Sequence, residues 1–169
     1  MTAPAIRAAA PGDLEVIGRL GALLVQEHHD FDERRFIAAT PDTPRAYASY
    51  LGTQLANEKV VVLVAEQDGK VVGYTYAGVE GWDYMQLRGP AGVLYDIVVD
   101  PSYRGRGIGR ALLERTMGEL AARGAPRVVL STAEQNGAAQ RLFAGAGFRR
   151  TMIEMTRELG GSPKASKAV

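Results

Sequence analysis

The sequence predicts a single mixed α/β (α+β) domain, and three observations support that prediction. The chain has 169 residues, a length typical of one domain. Apolar residues recur every three or four positions in some segments and form continuous β-branched runs in others, which indicates helices and buried strands. These segments follow the order β-α-α-β-β-β-α-β-α-β, without a repeat or linker that would divide the chain. We therefore expect one domain over residues 1–159 and a mobile tail over residues 160–169.

The first third of the chain predicts one strand and two helices. Residues 5–9 are typical of a short strand, and Asp13 is a suitable N-cap for the helix that follows. Apolar positions spaced by three and four predict that helix over residues 14–29. Residues 30–42 have no regular pattern and indicate a loop. A Thr-Pro pair then predicts a second helix over residues 43–57.

The middle of the chain predicts a hairpin and a third strand. Two apolar runs at residues 60–65 and 71–79 flank the dipeptide Asp68-Gly69, a strong signal for a two-residue hairpin turn. Residues 80–92 contain aromatic and polar side chains and predict an ordered loop. Residues 94–99 form another apolar run, which an Asp-Pro pair closes.

The last third predicts helices that alternate with strands. Helical spacing of apolar residues predicts helices over residues 107–122 and 136–146, with a strand over residues 127–132 between them. Gly147 is the expected left-handed cap of the second helix. We expect a final strand or strand pair over residues 148–158.

The composition excludes several classes of protein. Hydrophobic residues make up 46% and charged residues 23%, as in an ordinary globular protein. Twenty Lys and Arg face 19 Asp and Glu, so we expect no partner that is bound by broad positive charge, neither nucleic acid nor a membrane. The absence of Cys excludes disulfides, a thiol nucleophile and a thiolate metal site. With no secretory signal pattern or long apolar run, we expect a cytoplasmic protein.

A predicted strand, a glycine-rich turn and a helix start follow one another over residues 94–109, and this arrangement indicates an anion site. The first N–H groups of a helix lack intrahelical partners and carry partial positive charge. Glycines let an anion approach the backbone closely. The residues lack the Lys-Ser/Thr pair of a nucleotide-binding P-loop and the glycine spacing of a dinucleotide site. A tight turn with solvated arginines is the alternative interpretation.

Two separated motifs resemble those of the GNAT superfamily of N-acyltransferases. The first is Arg104-x-x-Gly107-x-Gly109, which follows the predicted strand at residues 94–99. The second is Asn136-x-x-Ala139-x-x-Leu142-Phe143-x-x-x-Gly147-Phe148. The resemblance covers residues 5–158, with the two motifs in the right order and at matching spacing. The first motif lies in the strand–turn–helix context that its mechanism requires.

The resemblance implies a mostly antiparallel, twisted sheet of six or seven strands with about four helices. That sheet would splay open between two central parallel strands at residues 94–99 and 127–132, and acetyl-CoA would enter the cleft as acyl donor without a metal. The strand edge would pair with the pantetheine arm, and the glycine-rich turn would hold the pyrophosphate. Asn136 would lie near the pantetheine, although a helix N-cap is an equally good role for it. The implied cofactor-binding residues are Ile97, Val98, Val99, Arg104, Gly105, Arg106, Gly107, Ile108, Gly109, Arg110, Asn136 and Phe143.

The expected reaction needs a base, because an alkylammonium of pKa near 10.4 is neutral in only about one molecule in 2,500 at pH 7. Asp96 is our preferred base, since it interrupts an apolar strand where many members of the family carry an acidic residue. A structural Asp bonded to loop backbone is the alternative. Glu134 is the second candidate, and an exposed loop acid is its simpler interpretation.

The general acid is the point at which the sequence departs from the family. Members usually carry a Tyr where this chain has Phe143, which has no hydroxyl. Three alternatives remain open. Ser131, Tyr103 or a water donates the proton; the thiolate leaves unassisted, as a thiol pKa near 8.5 allows; or the protein binds CoA without turnover.

Two short clusters are candidates for the acceptor side. His28 and His29 end the first predicted helix, where one could face the acceptor, although histidines at a helix end are also favoured by the helix dipole. The residues after the hairpin, Trp82, Asp83 and Tyr84, form an aromatic and acidic cluster that suits a cationic amine. A loop anchored by its Trp is the alternative.

Together these features predict an N-acetyltransferase that moves an acetyl group from acetyl-CoA to a primary amine by direct attack in a ternary complex. We expect a small-molecule acceptor and a possible homodimer. Acetylation of a protein N-terminus or lysine, a non-catalytic acyl-CoA-binding module and a nucleotide- or anion-binding module are the alternatives.

Overall fold

The computed structural model of the protein describes residues 4–160, which form one five-stranded sheet and four α-helices. The strands are β1 (Ala5–Ala8), β2 (Val60–Gln67), β3 (Lys70–Glu80), β4 (Ala91–Val99) and β5 (Val128–Leu130). The helices are α1 (Leu14–Phe31), α2 (Thr43–Gln54), α3 (Ile108–Ala122) and α4 (Gly137–Gly145). Short 3-10 turns precede α1 and follow β4.

The sheet has the order β1-β2-β3-β4-β5 and is antiparallel except for its last pair, β4 and β5. This confirms the predicted mixed, mostly antiparallel fold with four helices. The β2–β3 turn is the predicted Asp68-Gly69 dipeptide. Both residues have positive φ, 52° and 72°, as a type I′ hairpin turn requires.

Helices cover both faces of the sheet, so alternate residues of β2 enter two different cores. Val61, Leu63 and Ala65 pack with α3 and α4 on one face. Val62 and Val64 pack with α1 and α2 on the other. Burial on both faces explains why β2 is a continuous apolar run without alternation.

Asp13 and Asn136 both occupy the N-cap positions predicted for them, but only Asn136 caps its helix with its side chain. The Asp13 carboxylate does not cap α1; it binds Arg7 at 2.7 Å and accepts from the backbone N–H of Ala10 at 2.8 Å. Asn136 caps α4, where its side-chain oxygen accepts from the backbone N–H of Ala139 at 3.0 Å. Gly147 has the expected positive φ, 88°.

The prediction of six or seven strands is wrong for the part of the chain that the structure describes, because residues 148–158 form no strand. Met152 and Ile153 are adjacent apolar residues, so the segment lacks a clean alternation that would assign one face to the core. Phe148 packs against the core, but the side chains from residue 149 onward are exposed. The ion pairs Arg34–Glu158 and Arg35–Glu154 hold this part against the chain that follows α1. The predicted tail at residues 160–169 lies outside the described residues after Gly160.

The parallel pair also lies at one edge of the five-stranded sheet, not at its centre as predicted. β5 has three residues, fewer than the predicted 127–132, because the backbone turns after it. The N–H of Asn136 bonds the carbonyl of Ala133, and the N–H of Gly137 bonds that of Gln135. This early turn separates the two parallel strands where the candidate site lies.

Candidate active site

The parallel strands β4 and β5 stop pairing halfway along β4. Their last paired residues are Leu94 and Leu130, but β4 continues to Val99. On the side away from β3, no strand within residues 4–160 pairs with residues 95–99. An unpaired strand edge offers backbone donors and acceptors to an extended ligand. This free strand edge contains the predicted residues Ile97, Val98 and Val99.

The glycine-rich turn connects β4 to α3 through backbone geometry that only glycine adopts easily. Gly105 and Gly107 have φ values of 76° and 80°, and Gly107 is the N-cap of α3. No side chain of the described residues caps α3, so the first N–H groups of the helix stay available. Together with the helix dipole they form a site for an anionic group at residues 104–109.

The three arginines of this region already have partners within the chain. Arg104 donates to Glu27 of α1 at 2.6 Å and to the carbonyl of Val99 at 2.9 Å. Arg106 donates to the carbonyl of Ser102 at 2.9 Å and lies over the Tyr103 ring. Arg110 pairs with Glu114 at 2.9 Å. The backbone N–H groups, more than the guanidinium groups, are therefore free to bind an anion.

A cavity of about 240 Å³ opens beside the free edge of β4. Its walls come from α1, the segment after α1, α2, β4, the end of β5 and α4. It is lined by Leu24, Val25, His28, Phe36, Ile37, Tyr47, Tyr95, Asp96, Ile97, Ser131, Thr132, Asn136, Ala139 and Phe143. Six of these residues were predicted from the sequence to belong to the site: His28, Asp96, Ile97, Ser131, Asn136 and Phe143.

Asp96 is the carboxylate in the cavity wall. Its side chain accepts a hydrogen bond from the hydroxyl of Tyr74 at 3.0 Å, and Tyr74 is fully buried. Burial raises the pKa of the Asp96 carboxyl above its usual value, although the Tyr74 hydrogen bond and the nearby His28 oppose that rise. A carboxylate with a raised pKa in a cavity has the properties of a general base.

His28 lies in the same wall with a defined tautomer. Its Nδ1 is 2.8 Å from the carbonyl of Leu24, and because a carbonyl only accepts, Nδ1 carries the proton. In the neutral ring Nε2 then has the free lone pair. The rings of Phe31 and Phe36 pack edge-on against the imidazole and fix its plane.

Two residues considered for the general acid, Phe143 and Ser131, both line the cavity. Phe143 lines the cavity and packs edge-on against Phe148, with ring centroids 5.9 Å apart. Ser131 and Thr132 supply hydroxyl groups to the cavity. Tyr103 does not line it and packs at the edge of the core with α3.

The remaining predicted site residues lie away from the cavity. Glu134 is exposed, and its backbone carbonyl accepts from Gln140. His29 donates through Nδ1 to the carbonyl of Phe36 and lies in a separate surface depression at residues 29–34. Those assignments stay predictions, and the cavity wall does not include either side chain.

The predicted aromatic and acidic cluster forms its own loop. Trp82 and Tyr84 are exposed and stack, with centroids 6.4 Å apart. The Asp83 carboxylate accepts from the backbone N–H groups of Met85 and Gln86 and faces Arg88. Asp83 therefore holds the loop, while Trp82, the anchor expected in the alternative, is exposed. The loop lies outside the cavity lining.

Several residues of the cavity were missed by the sequence analysis, above all Tyr47, Tyr95 and Phe36. Tyr95 was missed because a β-bulge shifts the register: Tyr76 pairs with Asp96, but Ala77 pairs with Leu94. Residue 95 is therefore extra, and neighbours that would alternate between faces both reach the cavity. No residue type in the sequence indicates this bulge.

Comparisons with known proteins agree with the fold and the motifs. The acetyltransferase (GNAT) family model matches residues 21–148. A mycothiol acetyltransferase of Thermobispora bispora is 38% identical over 96 residues, a match that covers 54% of this chain and 31% of that protein. The chain therefore spans less than a third of the length of this curated relative.

Two solved structures share the fold. A mutant of the BH1408 protein from Bacillus halodurans superposes with a TM-score of 0.79 at 23% identity, over 92% of this chain and 99% of that one. An acetyltransferase of Clostridium acetobutylicum solved with acetyl-CoA gives a TM-score of 0.66 at 20% identity, over 91% and 96%. The chain belongs to the GNAT family of acetyltransferases.

Within residues 4–160, no helix is long and apolar enough to cross a membrane. In the same range, no group of three or more His, Asp or Glu side chains is arranged to hold a metal ion.

Proposed function

We propose that the protein transfers an acetyl group from acetyl-CoA to the primary amine of a small molecule, by direct attack in a ternary complex. Asp96 is the observation that supports the proposal most directly, because a half-buried carboxylate in the cavity wall, beside a free strand edge, can take the proton that the amine must lose. Membership of the GNAT family supports acetyl-CoA as the donor. The mycothiol acetyltransferase relative supports a small-molecule acceptor.

The cofactor side of the proposal rests on backbone groups. The N–H groups at the start of α3 would bind the pyrophosphate, and the free edge at residues 95–99 would pair with the pantetheine arm. Gly107 fits this role, since no atom lies within 4 Å of the position a Cβ would occupy. Asn136 lines the cavity while its oxygen caps α4, so its NH₂ group stays available to the ligand.

We assign removal of the amine proton to Asp96 and His28. The acceptor must lose a proton before its nitrogen attacks, and Asp96 would take it directly or through a water. The nearby His28 would stabilise the carboxylate when charged and would offer its Nε2 as a second proton acceptor when neutral. An ammonium acceptor loses two protons in all. The first would pass through Asp96 to solvent before attack. The C–N bond then forms, the C–S bond breaks, the second nitrogen proton goes to Asp96, and CoA leaves as thiolate.

The leaving thiolate needs little help from the protein. A thiol pKa near 8.5 lies only about 1.5 units above neutral pH, whereas the amine must be deprotonated across more than 3 units. Ser131 is the hydroxyl in the cavity wall that would donate to the departing sulfur. This arrangement fits a chain that carries Phe143 where the family usually has Tyr.

A non-catalytic acyl-CoA-binding module is the second candidate, and Phe143 is the observation that favours it. A protein N-terminus or lysine is the other alternative acceptor, and the mycothiol acetyltransferase relative favours a small molecule over it. A cytoplasmic location and a homodimer remain predictions.

Calorimetric titration with acetyl-CoA, followed by a thiol-release assay over a panel of amines, tests the proposal. Micromolar binding with amine-dependent CoA release supports an acetyltransferase. Binding without release across amines and peptides favours the non-catalytic module. Peptide-dependent release alone favours a protein acceptor, and no binding at all contradicts the interpretation of residues 94–109.

A further inference from the structure

Three tyrosines continue the wall of the cavity beyond Asp96. Tyr95 lines the cavity, and its ring lies 4.7 Å from that of Tyr76, tilted by 34°. Tyr76 meets Tyr50 of α2 edge-to-face at 6.0 Å. Tyr50 and Tyr95 are 54% and 40% exposed, so part of each ring is open to a ligand. We call these three residues the tyrosine shelf.

Two features of β3 and β4 build the shelf beside the reacting centre. The β-bulge lets Tyr95 and Asp96 line the same cavity, although they are consecutive in a strand. The Tyr95 ring lies beside Gly78 of β3, where a Cβ would be in ordinary van der Waals contact, 3.4 Å from the ring edge and from the hydroxyl. The β-bulge therefore positions both the proposed base, Asp96, and Tyr95 of the shelf.

The hydroxyl groups of the shelf already have partners. Those of Tyr50 and Tyr76 bond each other at 3.0 Å, and that of Tyr95 donates to Glu80. Burial and hydrogen bonding raise the pKa of Tyr76 and of Tyr95, so both phenols are neutral at pH 7. Arg88 pairs with Glu80 and offsets its charge. The shelf is therefore uncharged and its polar groups are engaged.

Because the polar groups of the shelf are engaged, the shelf favours one of three kinds of acceptor: a polyamine, a sugar or an aromatic amine. A polyamine needs unpaired carboxylates for its further charges, but Glu80 is taken by Arg88 and Tyr95. A sugar needs free hydrogen-bonding groups, but the hydroxyls are engaged with one another and with Glu80. The ring faces and edges remain, and these are the groups that bind another aromatic ring.

We propose that the tyrosine shelf binds an aromatic ring of the acceptor, so that the preferred substrate is a primary amine with an aryl group. This inference rests on the proposed function, because it places the amine of that substrate at Asp96. Tyr95 is the specificity-determining residue, since it belongs to both the cavity and the shelf.

The test compares 2-phenylethylamine with hexylamine, an acceptor of similar length without a ring, and with spermidine. We expect kcat/KM for 2-phenylethylamine to exceed that for hexylamine by about tenfold, the upper range of one aromatic contact. Tyr95→Leu should remove most of this preference, and Tyr50→Leu should reduce it. Tyr95→Phe keeps the ring and should retain the preference. Melting temperatures check that each variant is folded.

The outcomes separate the shelf from the proposed function. Equal rates for the two matched amines, a preference for spermidine, or equal losses on both amines in Tyr95→Leu would overturn the shelf while leaving acetyl transfer intact. If no amine releases CoA, the proposed function fails, and saturation-transfer NMR of 2-phenylethylamine still reports on the shelf. Signal that Tyr95→Leu abolishes and Tyr95→Phe retains supports ring binding; signal unchanged by Tyr95→Leu, or no signal, overturns it.

Discussion

The proposed cofactor side and the proposed acceptor side of the site are built in opposite ways. Apart from Asn136, the proposed cofactor side is one continuous stretch, residues 94–110, in which backbone N–H groups and positive-φ glycines would form the binding surface. The acceptor side takes side chains from α1, the segment after it, α2 and β4. His28, Tyr47 and Tyr95 meet there from distant parts of the chain.

We therefore expect the two sides to respond differently to substitution. A site made from backbone groups is lost when the backbone is blocked, but it tolerates changes in most of its side chains. A site made from side chains changes its preference with single substitutions, because each residue contributes its own contact. The link between them is the ion pair of Glu27 on α1 with Arg104 in the glycine-rich turn.

The largest expected effect comes from Gly107→Glu. A side chain and a negative charge at the N-cap of α3 would occupy the anion site, so we expect acetyl-CoA affinity to fall by about a thousandfold or more. Isothermal titration calorimetry measures it. Gly124→Glu is the matched control, since Gly124 has a similar φ of 84° and open surroundings at the other end of α3. Equal losses in both variants would mean that strain, not the anion site, is responsible.

Asp96→Asn should affect turnover without affecting the cofactor side. We expect kcat to fall by about a hundredfold at pH 7 and by less at pH 9, where more of the amine is already neutral. Acetyl-CoA affinity should stay within about twofold of the wild type. The pH–rate profile measures the effect, and the same loss at both pH values would remove Asp96 as the base.

The same variant should be more stable than the wild type at neutral pH. Burial raises the pKa of the Asp96 carboxyl, so folding disfavours its charged form at pH values above its unfolded pKa, near 3.8. Asn carries no charge and still accepts from Tyr74. The melting temperature of Asp96→Asn should therefore exceed that of the wild type at pH 7, and this difference should shrink as the pH falls toward 3.8. A lower melting temperature at pH 7 would contradict this assignment.

Glu27→Ala tests the link between the two sides. Without its partner, Arg104 keeps only its bond to Val99, and the turn is less firmly held. We expect KM for acetyl-CoA to rise about fourfold, in the range of one partly exposed ion pair. Glu114→Ala removes a more exposed pair with Arg110 and should change KM by less than about twofold. Equal effects in the two variants would show that the link has no special role.

The smallest effect is expected at Asn136, whose two roles can be separated. Asn136→Ala loses the cap of α4 and should lower the free energy of unfolding by about 1 kcal/mol, whereas Asn136→Ser keeps a capping oxygen. Both variants lose the NH₂ group, so both should raise KM for acetyl-CoA by a similar few-fold amount. Chemical denaturation and steady-state kinetics measure the two effects. A normal KM in the Ser variant would leave capping as the only role.

The sequence predicted the elements whose signals are local. The hairpin at Asp68-Gly69, the turn at Gly105 and Gly107 and the cap at Asn136 each depend on residues within a few positions of one another. Tyr95 could not be predicted, because its position depends on a register shift between β3 and β4. The strand expected at residues 148–158 failed for a related reason, since a strand needs a partner that its own residues do not specify.

The exposed segment after α4 is a site at which proteases can cleave the protein. Residues 149–159 are exposed, and two surface ion pairs with Arg34 and Arg35 hold them. Pairs of this kind contribute little and weaken as salt is added. A trypsin-like protease that reaches Arg149 or Arg150 would cut without breaking a helix or a strand. Cleavage at either residue would remove the chain that follows it and would leave the sheet and the helices that line the cavity uncut.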